Sequence, residues 1–349
     1  MRYIFAFICL LVVLIQSNAV LAASIDDAQS AYTRGDYVNA INILKQLANQ
    51  GDASAQFSLG TMYINGEGTA KNIPEGLKLL RKAADSGNLQ AFSNLGAIYF
   101  SGTIVNKDYN EAAKLLRVAA EKGVAKAQFN LGLLYYTKDA GLIPNYQESA
   151  KWFGKASSQG YAPAQAYLCS MYIAGQGVPQ NMSEAARLCL LAANQGEALA
   201  QSNLGVMYQQ GHGVPQNLTE SIRWYQLSAA QGNAVALSNL GSAYLEGKGL
   251  PKNYTAAVKY FKLSAEMGDA AGQANLGFMQ LNGLGIKQNA LLAYVWSALS
   301  AKQGNGVGAT NRDAAEALLT PSQLAEAKRI MAAWRPKSWG ELKSTKPIR

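Results

Sequence analysis

The sequence predicts an all-α protein, an α/α right-handed superhelical solenoid of helix–turn–helix repeats, on three observations. Gly51, Gly87, Gly123, Gly160, Gly196, Gly232, Gly268 and Gly304 recur every 36 residues, with a single interval of 37. Between consecutive glycines, small and apolar residues return at every fourth position, as in Ala200, Leu204 and Tyr208, which is the spacing of one helix face. Each interval then closes on a pair of small residues: Ala83-Ala84, Ala119-Ala120, Ala156-Ser157, Ala192-Ala193, Ser228-Ala229, Ser264-Ala265 and Ser300-Ala301. A hairpin of that length cannot bury its own apolar face, so it becomes stable against its neighbours, and the stack presents one long surface. Roughly eighteen helices are expected.

From the N-terminus, residues 1–22 read as a secretory signal peptide. Arg2 precedes an uncharged apolar run from Ile4 to Ile15, followed by Gln16-Ser17-Asn18 and a small-residue cleavage site at Val20-Leu21-Ala22-Ala23. The run falls short of the roughly 20 residues a membrane-spanning helix requires. Cys9 lies inside it rather than at the cleavage site, which argues against lipid attachment. A periplasmic or secreted protein is therefore expected.

The unit from Glu197 to Gly232 shows how one repeat is built. A first helix carries Ala200, Leu204, Gly205 and Tyr208 on one face and stops at Gly211-His212-Gly213-Val214-Pro215-Gln216. Asn217-Leu218-Thr219-Glu220 reads as a capping box opening a second helix, which carries Trp224 and Leu227 and ends at Gly232. The same cap-plus-glutamate spacing occurs as Asn72/Glu75, Asp108/Glu111, Asn145/Glu148 and Asn181/Glu184, then lapses to Asn253 and Asn289 without a glutamate. Small side chains at the end of the second helix let adjacent helices approach closely and read as the stacking seam.

The pattern Ala-x-x-x-Leu-Gly-x-x-Tyr-x-x-Gly-x-Gly-Val, then Ala-x-x-Trp and Ala-Ala-x-x-Gly, resembles the Sel1-like repeat family, a longer-looped relative of the tetratricopeptide repeat. The resemblance covers 52–304 as seven units: 52–87, 88–123, 124–160, 161–196, 197–232, 233–268 and 269–304. Residues 25–51, with Ala31-Tyr32, Gly35-Asp36-Tyr37 and Ala40, are similar to a tetratricopeptide hairpin capping the front. Residues 305–334 resemble the closing helices of bacterial members, the last helix opening at Thr320-Pro321-Ser322-Gln323. Residues 335–349 form a basic tail. Gly102-Thr103-Ile104-Val105 and Lys138-Asp139-Ala140-Gly141-Leu142 depart from the Gly-x-Gly-Val turn, so those two turns should differ from the others. Gln280 and Gly272 replace a recurrent tyrosine and alanine, as expected of a terminal unit with a less constrained outer face.

Chemistry-bearing constellations are scarce. The formal net charge is +9, of which Arg2 belongs to the leader, and much of the excess lies in Arg335, Lys337, Lys343, Lys346 and Arg349. No basic stripe with interleaved aromatics runs through the repeats, so no nucleic-acid partner is expected. Contact with a membrane is expected only through the tail, which reads either as solvated or as an anionic-surface contact. His212, the sole histidine, sits at a variable loop position, which leaves no histidine metal cluster and no Ser/His or Cys/His dyad. No catalytic, cofactor-binding or metal residues are assigned, and the recurrent glutamates read as caps. The Gly-x-Gly runs lie between helices and read as turns rather than phosphate cradles. Asn181, Asn217 and Asn253 head formal glycosylation sequons that coincide with helix caps.

Cys169 replaces the first-helix glycine found at Gly60, Gly96, Gly132 and Gly205, and Cys189 falls on the partner helix. An oxidising compartment makes them candidates for a disulfide, the alternative being two small buried thiols.

For partner binding, Asn94, Asn130, Asn203, Asn239 and Asn275 form a column on successive first helices. Such a column either binds an extended peptide backbone or ties adjacent repeats together. Around it Phe100, Tyr136, Gln209 and Leu245 vary between units, while Trp152, Trp224 and Trp296 keep the period of the core. The family resemblance implies a non-enzymatic adaptor that binds a protein or peptide on its concave face, in the cell envelope or outside the cell, the partner being an envelope enzyme or a host factor. Two other classes are weighed: a cell-wall-binding or β-lactamase-like hydrolase, as in cysteine-rich relatives, and an endoplasmic-reticulum quality-control adaptor if the source is eukaryotic.

Overall fold

The computed structural model describes residues 24–139 and 142–344. The expected leader, with Cys9, lies outside the described residues, as do 140–141 and the last five positions. The described residues hold nineteen helices and no strand. They fall into two compact units, the first ending at Pro144 and the second beginning at Asn145. In the first unit a front hairpin, α1 (Ile25–Thr33) and α2 (Tyr37–Asn49), is followed by α3 (Ala53–Asn65), α4 (Ile73–Asp85), α5 (Leu89–Ser101), α6 (Tyr109–Glu121) and α7 (Ala125–Tyr136). The second unit runs α8 (Tyr146–Ser158), α9 (Ala162–Ala174), α10 (Met182–Asn194), α11 (Ala198–Gln210), α12 (Leu218–Ala230), α13 (Ala234–Glu246), α14 (Tyr254–Glu266), α15 (Ala270–Asn282) and α16 (Ala290–Lys302). It closes on α17 (Gly306–Glu316), α18 (Pro321–Ala333) and α19 (Trp339–Ser344).

Every second helix from α4 to α16 starts at an Asn or Asp whose side chain accepts the N–H three residues on, a cap worth about 1 kcal/mol. The reciprocal half of the expected capping box is absent. The cap's own N–H already donates to a first-helix carbonyl: Asn72 to Tyr63 O, Asp108 to Tyr99 O, Asn181 to Tyr172 O, Asn217 to Tyr208 O and Asn289 to Gln280 O. With that donor used, the glutamates turn to the cation one turn on instead, in the pairs Glu75–Lys78, Glu148–Lys151, Glu184–Arg187 and Glu220–Arg223. The backbone carbonyl at the recurrent tyrosine position accepts the cap's N–H whatever the side chain, so Gln280 provides it as well. Reciprocal capping boxes form instead at Ser24/Asp27, Thr320/Gln323 and Ser338/Glu341, outside the repeats.

Close approach within a hairpin rests on glycine. A Cβ at Gly205 would lie 2.5 Å from the Tyr225 ring, and one at Gly241 2.6 Å from the Phe261 ring, so any larger residue overpacks the core. Cys169 stands at the equivalent position of α9, its Sγ bonded to Cys189 Sγ of α10 at 2.02 Å with the Cα atoms 5.5 Å apart. The small pair at the end of the second helix is more than a seam. Ser228 Oγ donates to Ala198 O at 2.6 Å, Ser264 to Ala234 O at 2.8 Å and Ser300 to Ala270 O at 2.6 Å. Trp152 and Trp224 are buried, whereas Trp296 is half-buried and edge-on to Trp334.

The departures in the turns are local. α5 still ends on a left-handed Gly102, but α7 ends on Thr137 in extended conformation, followed by Asp139, which accepts from the Tyr109 hydroxyl and pairs with Lys107 at 2.9 Å. At the other end, within the expected closing helices, α17 continues the stack as a further first helix, and its Asn311 extends the asparagine column by one more period of 36. The chain then folds back, so that Pro336, Lys337 and Trp339 of the expected basic tail contact the repeats.

Candidate functional site

The first-helix face carries the expected asparagine column, and its members do different work in each unit. In the second unit Asn203 Nδ2 donates to Ser170 Oγ of the preceding first helix at 2.9 Å. Asn311, buried, donates to Ala274 O at 3.1 Å in the same way. In the first unit Asn94 Oδ1 accepts from Lys126 Nζ at 3.3 Å. These three tie one repeat to the next. Asn130, Asn239 and Asn275 are half-buried, and their side chains make no hydrogen bond to another described residue. Phe100 packs against Tyr109 with ring centres 6.0 Å apart, Tyr136 is half-buried on α7, and Gln209 accepts from the Tyr225 hydroxyl at 2.7 Å. Gln209 is thereby a core partner, and burial pushes the Tyr225 phenol up to about 12.

A second ladder, of glutamines, holds the stack from inside and was not among the expected site residues. Buried Gln56, Gln128, Gln201 and Gln273 donate to the carbonyl eight residues earlier, at the end of the preceding second helix. In the second unit Gln195, Gln231 and Gln303 donate in turn to the Oε1 of Gln165, Gln201 and Gln273. The signal was present as Gln56, Gln128, Gln165, Gln201 and Gln273 on a 36- or 37-residue period interrupted at Phe92 and Leu237, but a polar residue on a buried helix face reads as surface until its partners are known.

Two hollows of the first-helix face lie in the first unit. A cavity of about 140 Å³ is walled by Ile25, Ala28, Leu44, Phe57 and Met62, with Tyr32 and Glu67 at its rim. The Tyr32 hydroxyl donates to Glu67 Oε2 at 2.9 Å and Asn65 Nδ2 to Glu67 Oε1 at 2.7 Å, and the carboxylate pushes the Tyr32 phenol upward. A second cavity of about 310 Å³ lies between α3 and α5, lined by Ile64, Ile98, Ile104, Asn65, Asn94 and Ser101. Thr61 lines both, so the two adjoin. The arrangement offers apolar walls with amide and carboxylate groups at the edge, which suits an extended peptide with apolar side chains. Of the expected residues, Asn94 alone lies in this groove.

Among the described residues no group of three or more His, Cys, Asp or Glu side chains is arranged to hold a metal ion. No helix there is long and apolar enough to cross a membrane. Asn181, Asn217 and Asn253 serve as helix caps. His212 is exposed.

Tandem α-hairpins stacked through their first helices define an interaction-scaffold class of repeat protein. The chain belongs to the Sel1 repeat family, whose repeat matches at residues 53–88, 93–124, 125–161, 162–197, 198–233, 234–269 and 270–305. Among solved structures it is similar to a Sel1 repeat protein from Oxalobacter formigenes, at 30% identity over 85% of this chain and 88% of that one, with a TM-score of 0.58. It is also similar in fold to c5321, a protective antigen of uropathogenic Escherichia coli, at 24% identity over 94% and 96% of the two chains and a TM-score of 0.51. Among curated proteins none matches. Sel1 repeat proteins are in general protein-interaction scaffolds, and the fold is typically non-catalytic.

Proposed function

We propose that this protein is a non-enzymatic adaptor of the bacterial cell envelope or the secreted fraction, binding an extended segment of a partner protein, such as an envelope enzyme or a host factor, on its first-helix face. The observation that carries the reading is the pair of adjoining cavities sharing Thr61, apolar in their walls and rimmed by Asn65, Asn94 and Glu67. Export is supported by the leader-like N-terminal sequence and by the Cys169–Cys189 bridge, since disulfides persist in oxidising compartments. Binding is assigned to the groove rather than to the whole asparagine column, because of the column only Asn94 lines the groove.

The test is selection of peptides from a displayed random library on the purified protein, followed by affinity measurement on Thr61→Arg. The arginine obstructs the groove where the two cavities meet, from a half-buried helix position, so selected peptides should lose at least about tenfold in affinity, with the helical circular dichroism unchanged. Selected peptides that bind Thr61→Arg as well as the parent protein would place recognition elsewhere.

A further inference from the structure

The last described residues act as a ligand of the chain's own repeats. Beyond α18 the backbone turns back across the ends of the second helices, where Lys337 N–H donates to Glu266 O at 2.8 Å and Lys337 Nζ pairs with Glu266 Oε2 at 3.2 Å. Pro336 and Trp334 lie over Gly268: a Cβ there would meet Pro336 Cβ at 3.4 Å and Trp334 Cη2 at 3.6 Å. One repeat away, Trp339 covers Gly232 so closely that a Cβ would fall inside the indole, and it packs into the cluster of Ile222, Tyr225, Leu263 and Met267. Ser338 and Glu341 cap the short turn that follows, and Leu342 is buried. The strap thus reads two successive repeats with the same device, an aromatic or proline ring on a bare glycine, plus one lysine on one carboxylate.

The next register of that device is uncovered. Gly196 has nothing within 4 Å of where its Cβ would be. Beside it Leu191 and Leu227, the 36-residue equivalents of Leu263, are 41% and 42% exposed. The strap itself is an imperfect fit, because the buried Trp339 Nε1 donates to nothing. An unpaired buried donor weakens a complex and leaves room for a ligand that pairs it.

We infer that this track over Gly268, Gly232 and Gly196 is a second protein-binding surface, that it takes a partner segment carrying tryptophan and lysine, and that residues 334–342 occupy it in cis until such a segment displaces them. The surface is distinct from the first-helix groove, so either reading stands or falls without the other.

The probe is a fluorescent synthetic peptide spanning residues 334–344, titrated into the full chain and into Trp339→Ala. Loss of the indole releases the strap, so the variant should bind the probe at one per chain and at least about tenfold more tightly than the parent. A probe with alanine in place of its second tryptophan should not bind, and Thr61→Arg should leave probe binding unchanged. Equal affinity for parent and variant, or no binding to a folded Trp339→Ala, overturns the proposal. So does a variant that dimerises through its own straps while excluding the probe. Should Trp339→Ala fail to fold, Lys337→Glu, which repels Glu266 and keeps both tryptophans, carries the same expectation.

Discussion

The two units share one repeat design and treat its interior differently. In the second, Gln165, Gln201 and Gln273 each accept from a glutamine thirty residues on, and that unit also contains the Cys169–Cys189 bridge and the folded-back strap. In the first, Gln56 still donates to Ala48 O, but thirty residues on stands Ser86, and the Gln56 Oε1 is buried without a partner. The same unit holds the two adjoining cavities. The repeat therefore folds with or without a complete polar relay, since its caps and apolar contacts suffice. A satisfied relay adds rigidity, and its absence coincides with the part of the surface left hollow.

The largest expected effect separates the units by their covalent tie. The disulfide closes a loop of twenty residues, so the Cys169→Ala/Cys189→Ala double variant should lose about 3 kcal/mol in the chain-entropy account. Hydrogen exchange should accelerate in α9 and α10 while α3 to α6 stay as protected as before. Equal acceleration in both units would show that they unfold as one.

A smaller effect contrasts the two kinds of glutamine. Gln201→Ala leaves the Ala193 carbonyl and the Gln231 amide without that partner and should cost about 2 kcal/mol, whereas Gln56→Ala also removes an unsatisfied oxygen and should cost clearly less. Urea denaturation of both variants measures the difference, and equal losses would mean that the relay adds nothing beyond packing. The smallest effect is a gain. Ser86→Gln supplies the donor that Gln56 Oε1 lacks and should stabilise by about 1 kcal/mol in the same assay. No gain would show that thirty-residue spacing alone does not build the bond.

Much of the fold was legible because its causes are local. Helix starts follow from Asn and Asp caps, helix ends from left-handed glycines, and hairpin contact from Gly205 and its equivalents, each readable within a few residues. The site was less legible. The asparagine column was visible, but whether each amide ties repeats or faces a partner was not: Asn203 found Ser170, and Asn239 found nothing. The capping glutamates were misread for a related reason, since the donor they were to satisfy is used by a carbonyl across the turn, such as Tyr208 O.

By itself the sequence determined the repeat period and the alternation of helices, because these depend on propensity, capping and steric room within one hairpin. Only the tertiary structure decided which glutamines close a relay, where the first-helix face is hollow and what the basic C-terminal residues touch. Those outcomes rest on contacts between groups thirty or more residues apart, as far as Lys337 on Glu266. At that range the partner is chosen by the packing of the repeats between them, and no local pattern encodes it.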